Sequence, residues 1–350
     1  MRPIRARIDS AALGHNLSVA RRLAPRSRVW AVVKANAYGH GLARAAKALA
    51  SADGLALIEL EAAVELRRAG EKRPILLMQG FYSSEEIGAI EANGFTAVVH
   101  DDEQIAMLEK ASVRIPIYVK LNTGMNRLGF GEKEFAGALD RLRRCASEIT
   151  LMTHFADADG ERGVRWQLVR FEAATAGAKL PRSLANSAAV LRYPETHADW
   201  VRPGIMLYGC SPFPDESAEE LGLKPAMTFS SELIAVRELR AGDSVGYGCT
   251  FIASRPMRVG VVACGYADGY PRHAPTGTPV LVCGRRTQTV GRVAMDMLFA
   301  DLTGIREAAV GSPVTLWGEG ISADEVAAKA GTVSYELLCA LSLRVPVTET

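Results

Sequence analysis

The stretch "AVVKANAYGHG", Ala31 to Gly41, runs from an apolar segment straight into a lysine. Trp30, Ala31, Val32 and Val33 have strand character, and Asn36, Gly39 and Gly41 break that pattern before the helical "LARAAKALA". Lys34 therefore stands where a strand ends. In a parallel sheet or barrel that carboxyl end is the ligand-binding face. A lysine partly desolvated there has a lowered pKa and becomes a nucleophile for carbonyl groups. A lysine held in a salt bridge at the rim is the competing reading, and the rest of the chain decides between the two.

Working outward from "VWAVV", seven further apolar runs follow: "GLALIEL", "PILLMQG", "FTAVVH", "IPIYVKL", "EITLMTHF", "RSLANS" and "WVRPGIMLYG". Between them lie amphipathic helical patterns such as "EAAVELRRAG", "DEQIAMLEKA" and "EKEFAGALDRLRRCA", several closed by glycine. A first helix, "SAALGHNLSVARRLA", precedes them with Asp9 or Ser10 as its N-cap. Eight strands alternating with helices predict a (β/α)₈ barrel of the TIM type over residues 1–225. An open doubly wound sheet is the rival, and no G-x-G-x-x-G follows an early strand to support it.

The character changes at "CSPFPDESAEELGLKP", which reads as a linker. Beyond it, "SELIAVREL", "RVGVVACGYA", "PVLVCG" and "SPVTLWG" alternate with Gly and Pro turns, and one late helix covers "SADEVAAKAGTVSYELLCALS". A mostly β C-terminal domain is expected over residues 226–350. A short first strand over about 3–9 is assigned to either part.

At 350 residues the chain is long for one core, in keeping with two domains. A net charge of +2 offers no basic field for nucleic acid, so no polyanionic partner is expected. No apolar run approaches the roughly 18 residues of a membrane span, and "MRPIRARIDS" has no apolar core of a signal peptide. Six cysteines without a C-x-x-C pair suggest neither a zinc site nor a disulfide framework. The expectation is a cytoplasmic protein with no membrane partner and no metal.

The strand ends of a barrel converge on one mouth. Lys34 ends the first, His154 the sixth, Asn186 and Ser187 follow the seventh, and Arg202 and Gly204 lie in the eighth run. Small residues after strands seven and eight suit a phosphate held by backbone N–H groups, and Ser187 and Gly204 fit that place.

With these residues in view, "AVVKANAYGHG", "LNTGMNRLGF", "THFADAD", "RPGIMLYG", "VGYGCTF", "GYADGYPR", "GRVAMDM" and "SYELLCAL" resemble the alanine racemase family along nearly the whole chain. The resemblance implies a pyridoxal 5'-phosphate enzyme that interconverts L- and D-alanine by a two-base mechanism, as a homodimer whose active site is shared between subunits. It casts Lys34 as the residue that carries the cofactor and acts as one base, and Tyr247 as the opposing base. Tyr38, Ser187, Gly204 and Tyr335 fall where the family holds the phosphate, Arg202 where it faces the pyridine nitrogen, with His154 and Asn186 beside them. Arg127 and Met295 match positions that receive the substrate carboxylate and the phenolic oxygen. Tyr266, Arg272, Arg292 and Asp159 match the entrance corridor, where bulky tyrosines would exclude long side chains. Lys120, seven residues before Arg127, matches a lysine that becomes carbamylated.

Those residue types suit the chemistry. Racemisation removes a proton on one face of a carbon and delivers one on the other, so two acid/base groups must stand opposite each other. Guanidinium donates to a pyridine nitrogen without surrendering its proton, which leaves the ring neutral. A decarboxylase of the same fold would pair that nitrogen with a carboxylate, so Arg202 discriminates against it. A non-catalytic cofactor carrier would have no use for Tyr247. An aldolase working through a lysine imine alone would have no phosphate for Tyr38, Ser187 and Gly204. The product serves either cell-wall D-alanine supply or alanine catabolism, and residue types alone do not separate these.

Overall fold

The computed structural model describes residues 2–350 and resolves them into two compact units. One comprises Gly14–Ala37 and Leu42–Leu207. The other comprises the chain up to Leu13, Tyr38–Gly41 and Tyr208–Thr350.

The first unit is a closed barrel of eight parallel strands: Arg28–Val32, Gly54–Leu57, Ile75–Leu77, Thr96–Val99, Pro116–Lys120, Glu148–Met152, Arg182–Ser183 and Trp200–Val201. Each of the eight apolar runs supplies one of them. The barrel closes where Arg28 pairs with Trp200. Consecutive residues are buried within single strands, as in Ile75, Leu76 and Leu77, because a barrel strand has side chains in the interior and a helix layer outside. Truncating one of these leucines to alanine would cost about 2–5 kcal/mol.

The outer helices follow from their patterns. In Glu132–Cys145, Phe135, Ala138, Leu139, Leu142 and Cys145 are buried at helical spacing, and the Glu134 carboxylate accepts from the Gly131 N–H at the start. Asp101 caps Asp102–Lys110 by accepting from the Gln104 N–H at 2.8 Å.

The second unit is built on an eight-stranded sheet. Its spine is Met227–Leu239, whose residues alternate buried and partly buried before a register shift between Leu233 and Ala235. Arg5–Ile8 pairs with it antiparallel, and Val347–Glu349 lies parallel to Arg5–Ile8, so both chain ends are sewn into one sheet.

Two expectations need correction. The late helix is two, Ala323–Ala330 and Ser334–Cys339, separated at Gly331, whose φ of 72° ends the first in a left-handed C-cap. The segment read as a linker is packed. Phe213 and Leu223 are buried, and the Ser211 N–H donates to Asp324. Proline and acid marked a change of unit, but apolar residues inside the stretch anchor it.

Candidate active site

After the first barrel strand the backbone does something rare. Ala35, Asn36, Ala37 and Tyr38 have φ between 52° and 54°, a short left-handed turn in residues that carry a Cβ. Each such residue costs roughly 1–2 kcal/mol, and strain of this kind collects at functional sites. The Ala37 N–H donates to Val33, and Asn36 Oδ1 accepts from the Leu42 N–H, so the middle of the turn is tied to the barrel unit on both sides. Lys34 is the residue at which this turn begins.

Beside the first strand in the closed barrel, Arg202 follows the eighth strand and is buried. Its Nη1 donates to Ser183 Oγ at 2.7 Å, and its Nη2 to the carbonyls of Thr153 at 2.7 Å and Leu184 at 3.2 Å. These partners are neutral, and burial pushes the guanidinium down to about 10, where it still holds its proton at neutral pH. The same Nη2 lies 3.5 Å from His154 Nδ1. Burial, followed by the cations Arg202, Lys120, Arg127 and Lys34, holds His154 well below the usual imidazole range. His154 is thus neutral, with Arg202 placed to donate to Nδ1 and the remaining proton on Nε2.

Lys120 ends the fifth strand and is buried. Burial first, then Arg202, Arg127 and Lys34, pushes its ammonium down to about 8. Arg127 itself is exposed, in a loop whose shape comes from Asn122 Oδ1 accepting from the Gly124 and Asn126 N–H groups.

Ser187 opens the helix Ser187–Arg192, capped by Asn186 Oδ1 accepting from the Ala189 N–H. The buried Ser187 hydroxyl accepts from the Gly204 N–H at 2.8 Å and from the Met206 N–H at 3.4 Å. The Ser187 hydroxyl, which takes up these two N–H groups as an acceptor, has its own proton to donate to an anion. The mouth thus presents four cations and a buried serine hydroxyl. That donor set fits pyridoxal 5'-phosphate, with a phosphate for the Ser187 and Gly204 loops and a ring nitrogen for Arg202.

In the second unit, Tyr38 is buried, stacked on Tyr208 at 4.5 Å and tilted against Tyr335 at 6.1 Å. Burial raises its phenol far above the usual value, so Tyr38 is a neutral donor. Tyr247 lies in a short 3₁₀ turn between Gly246 and Gly248, both at φ 72°, and is 72% exposed. It lines a cavity of about 310 Å³ with Tyr266, Arg272, Arg292, Val293, Ala294, Met295 and Asp296. The structure therefore gathers Tyr247, Met295, Tyr266, Arg272 and Arg292 on one unit, whereas Arg127 and the exposed Asp159 belong to the barrel unit.

Several contributors escaped the residue reading. Thr153, Ser183 and Leu184 hold Arg202 through two carbonyls and a hydroxyl, which no motif encodes. Gln167, fully buried, donates to the His154 carbonyl and to Thr123 and accepts from the Ala156 N–H, fixing the loop that carries the imidazole. A lone glutamine on an amphipathic helix gives no signal for that. Tyr208 was visible in "GIMLYG", where it read as strand.

Comparison with known proteins agrees with this geometry. Residues 8–212 match the model of the alanine racemase N-terminal domain, and residues 226–349 that of the C-terminal domain. An alanine racemase of Nitrosospira multiformis is 59% identical over 98% of both chains, and one of Burkholderia mallei 56% identical over 99% of both. The biosynthetic alanine racemase of Pseudomonas aeruginosa superposes over the whole of both chains with a TM-score of 0.97 at 47% identity. With a closed barrel, a β unit and matches that run the length of both, the chain belongs to the alanine racemase family.

Proposed function

We propose that this chain racemises free alanine with pyridoxal 5'-phosphate, using Lys34 and Tyr247 as the two proton-transferring groups. The observation that carries the reading is the barrel mouth, where Lys34, Lys120, Arg127 and Arg202 all act on one neutral histidine and Arg202 is held by neutral partners. Such a site asks for an anionic ligand, and a carboxylate amino acid on a phosphorylated cofactor meets that demand.

Lys34 would hold the cofactor covalently. Ser187, Gly204, Tyr38 and Tyr335 would hold its phosphate, and Arg202, His154 and Asn186 would line its ring. When bound, the conjugated pyridine acidifies the Cα–H of an attached amino acid by spreading the charge left behind. Arg202 would donate to the ring nitrogen and keep its own proton, which would leave the ring neutral and limit side reactions such as transamination. Lys34 Nζ moves the proton on one face, and Tyr247 Oη moves it on the other. Tyr247 comes from the second subunit of a homodimer in this reading, since its side chain stands exposed on its own chain. The neutral His154, fixed by Arg202 with its proton on Nε2, would donate a hydrogen bond to the Tyr247 oxygen.

Arg127 and Met295 would receive the substrate carboxylate and the phenolic oxygen. Lys120 supplies the anion that Arg127 lacks. Its neutral amine adds to carbon dioxide, an N–C bond forms and a proton leaves, giving a carbamate that pairs with the guanidinium. Residues 1–225 carry the cofactor in this division of labour, and residues 226–350 carry the second base. Tyr266, Arg272, Arg292 and Asp159 then form the corridor that admits small substrates. Among the described residues no helix is long and apolar enough to cross a membrane, and no cysteine forms a disulfide. We place the enzyme in the cytoplasm, its product serving either cell-wall D-alanine supply or alanine catabolism.

The test is incubation of L-alanine with purified, cofactor-loaded protein and chiral analysis of the product. D-alanine approaching an equal mixture is expected. Retention of pure L-alanine, or release of an amine and carbon dioxide, would overturn the reading, the second outcome in favour of a decarboxylase.

A further inference from the structure

Asp268 has no solvent exposure, yet it carries a carboxylate that the roles given above leave unused. It ends the short turn Tyr266–Asp268, and its Oδ2 accepts from the Gly265 N–H at 2.9 Å. Two arginines from opposite ends of the chain converge on it. Arg2 donates through both Nη atoms, at 2.7 and 3.0 Å, and Arg344 donates through Nε at 2.7 Å. Hydrogen bonds from both guanidiniums hold the carboxyl below the usual range although burial opposes this.

Both arginines then reach onward to the same neighbour. Arg344 Nη2 donates to Asp296 Oδ1 at 2.7 Å, and Arg2 Nη2 donates to the Asp296 carbonyl at 3.0 Å. Asp296 directly follows Met295. Between the two segments the Tyr266 N–H donates to Ala294 and the Ala267 N–H to Met295, each at 3.0 Å. The fit leaves no slack, since a Cβ on Gly265 would lie 2.3 Å from the carbonyl oxygens of both Ala294 and Met295. Tyr266 and Met295 are two walls of the cavity that also contains Tyr247.

We infer that Asp268, with Arg2 and Arg344, is a positioning group that fixes the gap between Tyr266 and Met295 and so sets the size of substrate side chain the site accepts. This rests on the racemase reading. Its physical basis is charge-assisted bonding from two planar forks, each of which ties the buried carboxylate to the 294–296 segment in a defined direction. A lysine at position 344 would keep the charge but could not span Asp268 and Asp296 together.

The test compares Asp268→Asn and Arg344→Lys with the parent enzyme, each loaded with cofactor. Three quantities are read: kcat/KM for alanine, kcat/KM for the larger serine and 2-aminobutyrate, and hydrogen exchange at the Gly265, Tyr266 and Ala267 amides. Both variants are expected to keep the cofactor's visible band and to lose protection at those amides. Their preference for alanine over the larger substrates should fall by about tenfold, the order a hydrophobic pocket gains from excluding one extra group. Unchanged preference together with unchanged amide protection would overturn the inference, as would a uniform loss of activity on all three substrates. Should Asp268→Asn fail to fold, Arg344→Lys decides with the carboxylate intact. A parent enzyme that leaves alanine unracemised counts against the functional reading, and the amide exchange then still decides whether Asp268 holds these two segments.

Discussion

The barrel mouth and the Tyr247 cavity both gather polar and charged side chains, but in opposite surroundings. At the mouth the chemistry is set by burial. Lys120, Arg202 and Ser187 are all nearly inaccessible, and cations crowd one histidine. At the cavity the key side chains stand in the open, with Tyr247 72% and Met295 52% exposed, and only the backbone beneath them is held firmly. The mouth tunes its groups within one chain. The cavity leaves its groups in contact with solvent, where interactions between charges are weak.

The largest effects should break this contrast outright. Lys34→Ala is expected to abolish racemisation. Tyr247→Phe should keep the cofactor band and lose about 10²–10⁴-fold, most in the direction whose proton leaves from the tyrosine face. If the exposed tyrosine completes its site in a partner, refolding the two variants together forms mixed dimers with one site lacking both groups and one lacking neither. Activity well above either parent is expected. Inactive but verified mixed dimers would show that Lys34 and Tyr247 do not meet across an interface.

A second, intermediate effect probes the mouth alone. Arg202→Glu replaces the donor with a carboxylate that favours a protonated ring. Turnover as a racemase should drop about tenfold or more, with 2-oxo acid from transamination appearing beside the amino acid. Unchanged racemisation and no 2-oxo acid would remove Arg202 from the role assigned to it.

The smallest effect concerns Lys120 and pH. A buried ammonium with its pKa lowered to about 8 penalises folding fully below that value. The penalty fades as pH rises towards the ordinary lysine value near 10.4, so stability rises across this window, by on the order of 3 kcal/mol. Denaturation in carbon-dioxide-free buffer should show that rise, and Lys120→Met should flatten it. Bicarbonate should remove the slope as well and add the mass of a carboxylate at Lys120. A bare amine at high bicarbonate would sink the carbamate, though not the titration.

Legibility in the sequence followed the range of the forces involved. The eight barrel strands could be read because a parallel strand buried on both faces leaves a continuous apolar run, a local mark. The late helix was misread because helical propensity on both sides of Gly331 outweighed one residue whose φ of 72° ends a turn. Lys34, Ser187, Gly204 and Arg202 stood out because strand ends are countable along the chain. Asp268 did not, since its partner Arg2 lies 266 positions away.

The amino-acid order by itself determined the alternation of strand and helix, the change to a β-rich second unit, and which reactive residue types sit at strand ends. These depend on neighbours a few residues apart. Only the tertiary structure decided the left-handed turn after Lys34, the lowered pKa values of Lys120 and His154, and the tie between Asp268 and both chain ends. Burial and Coulomb interaction add over distance in space rather than along the chain, so those properties exist only once the barrel has closed and the sheet has assembled.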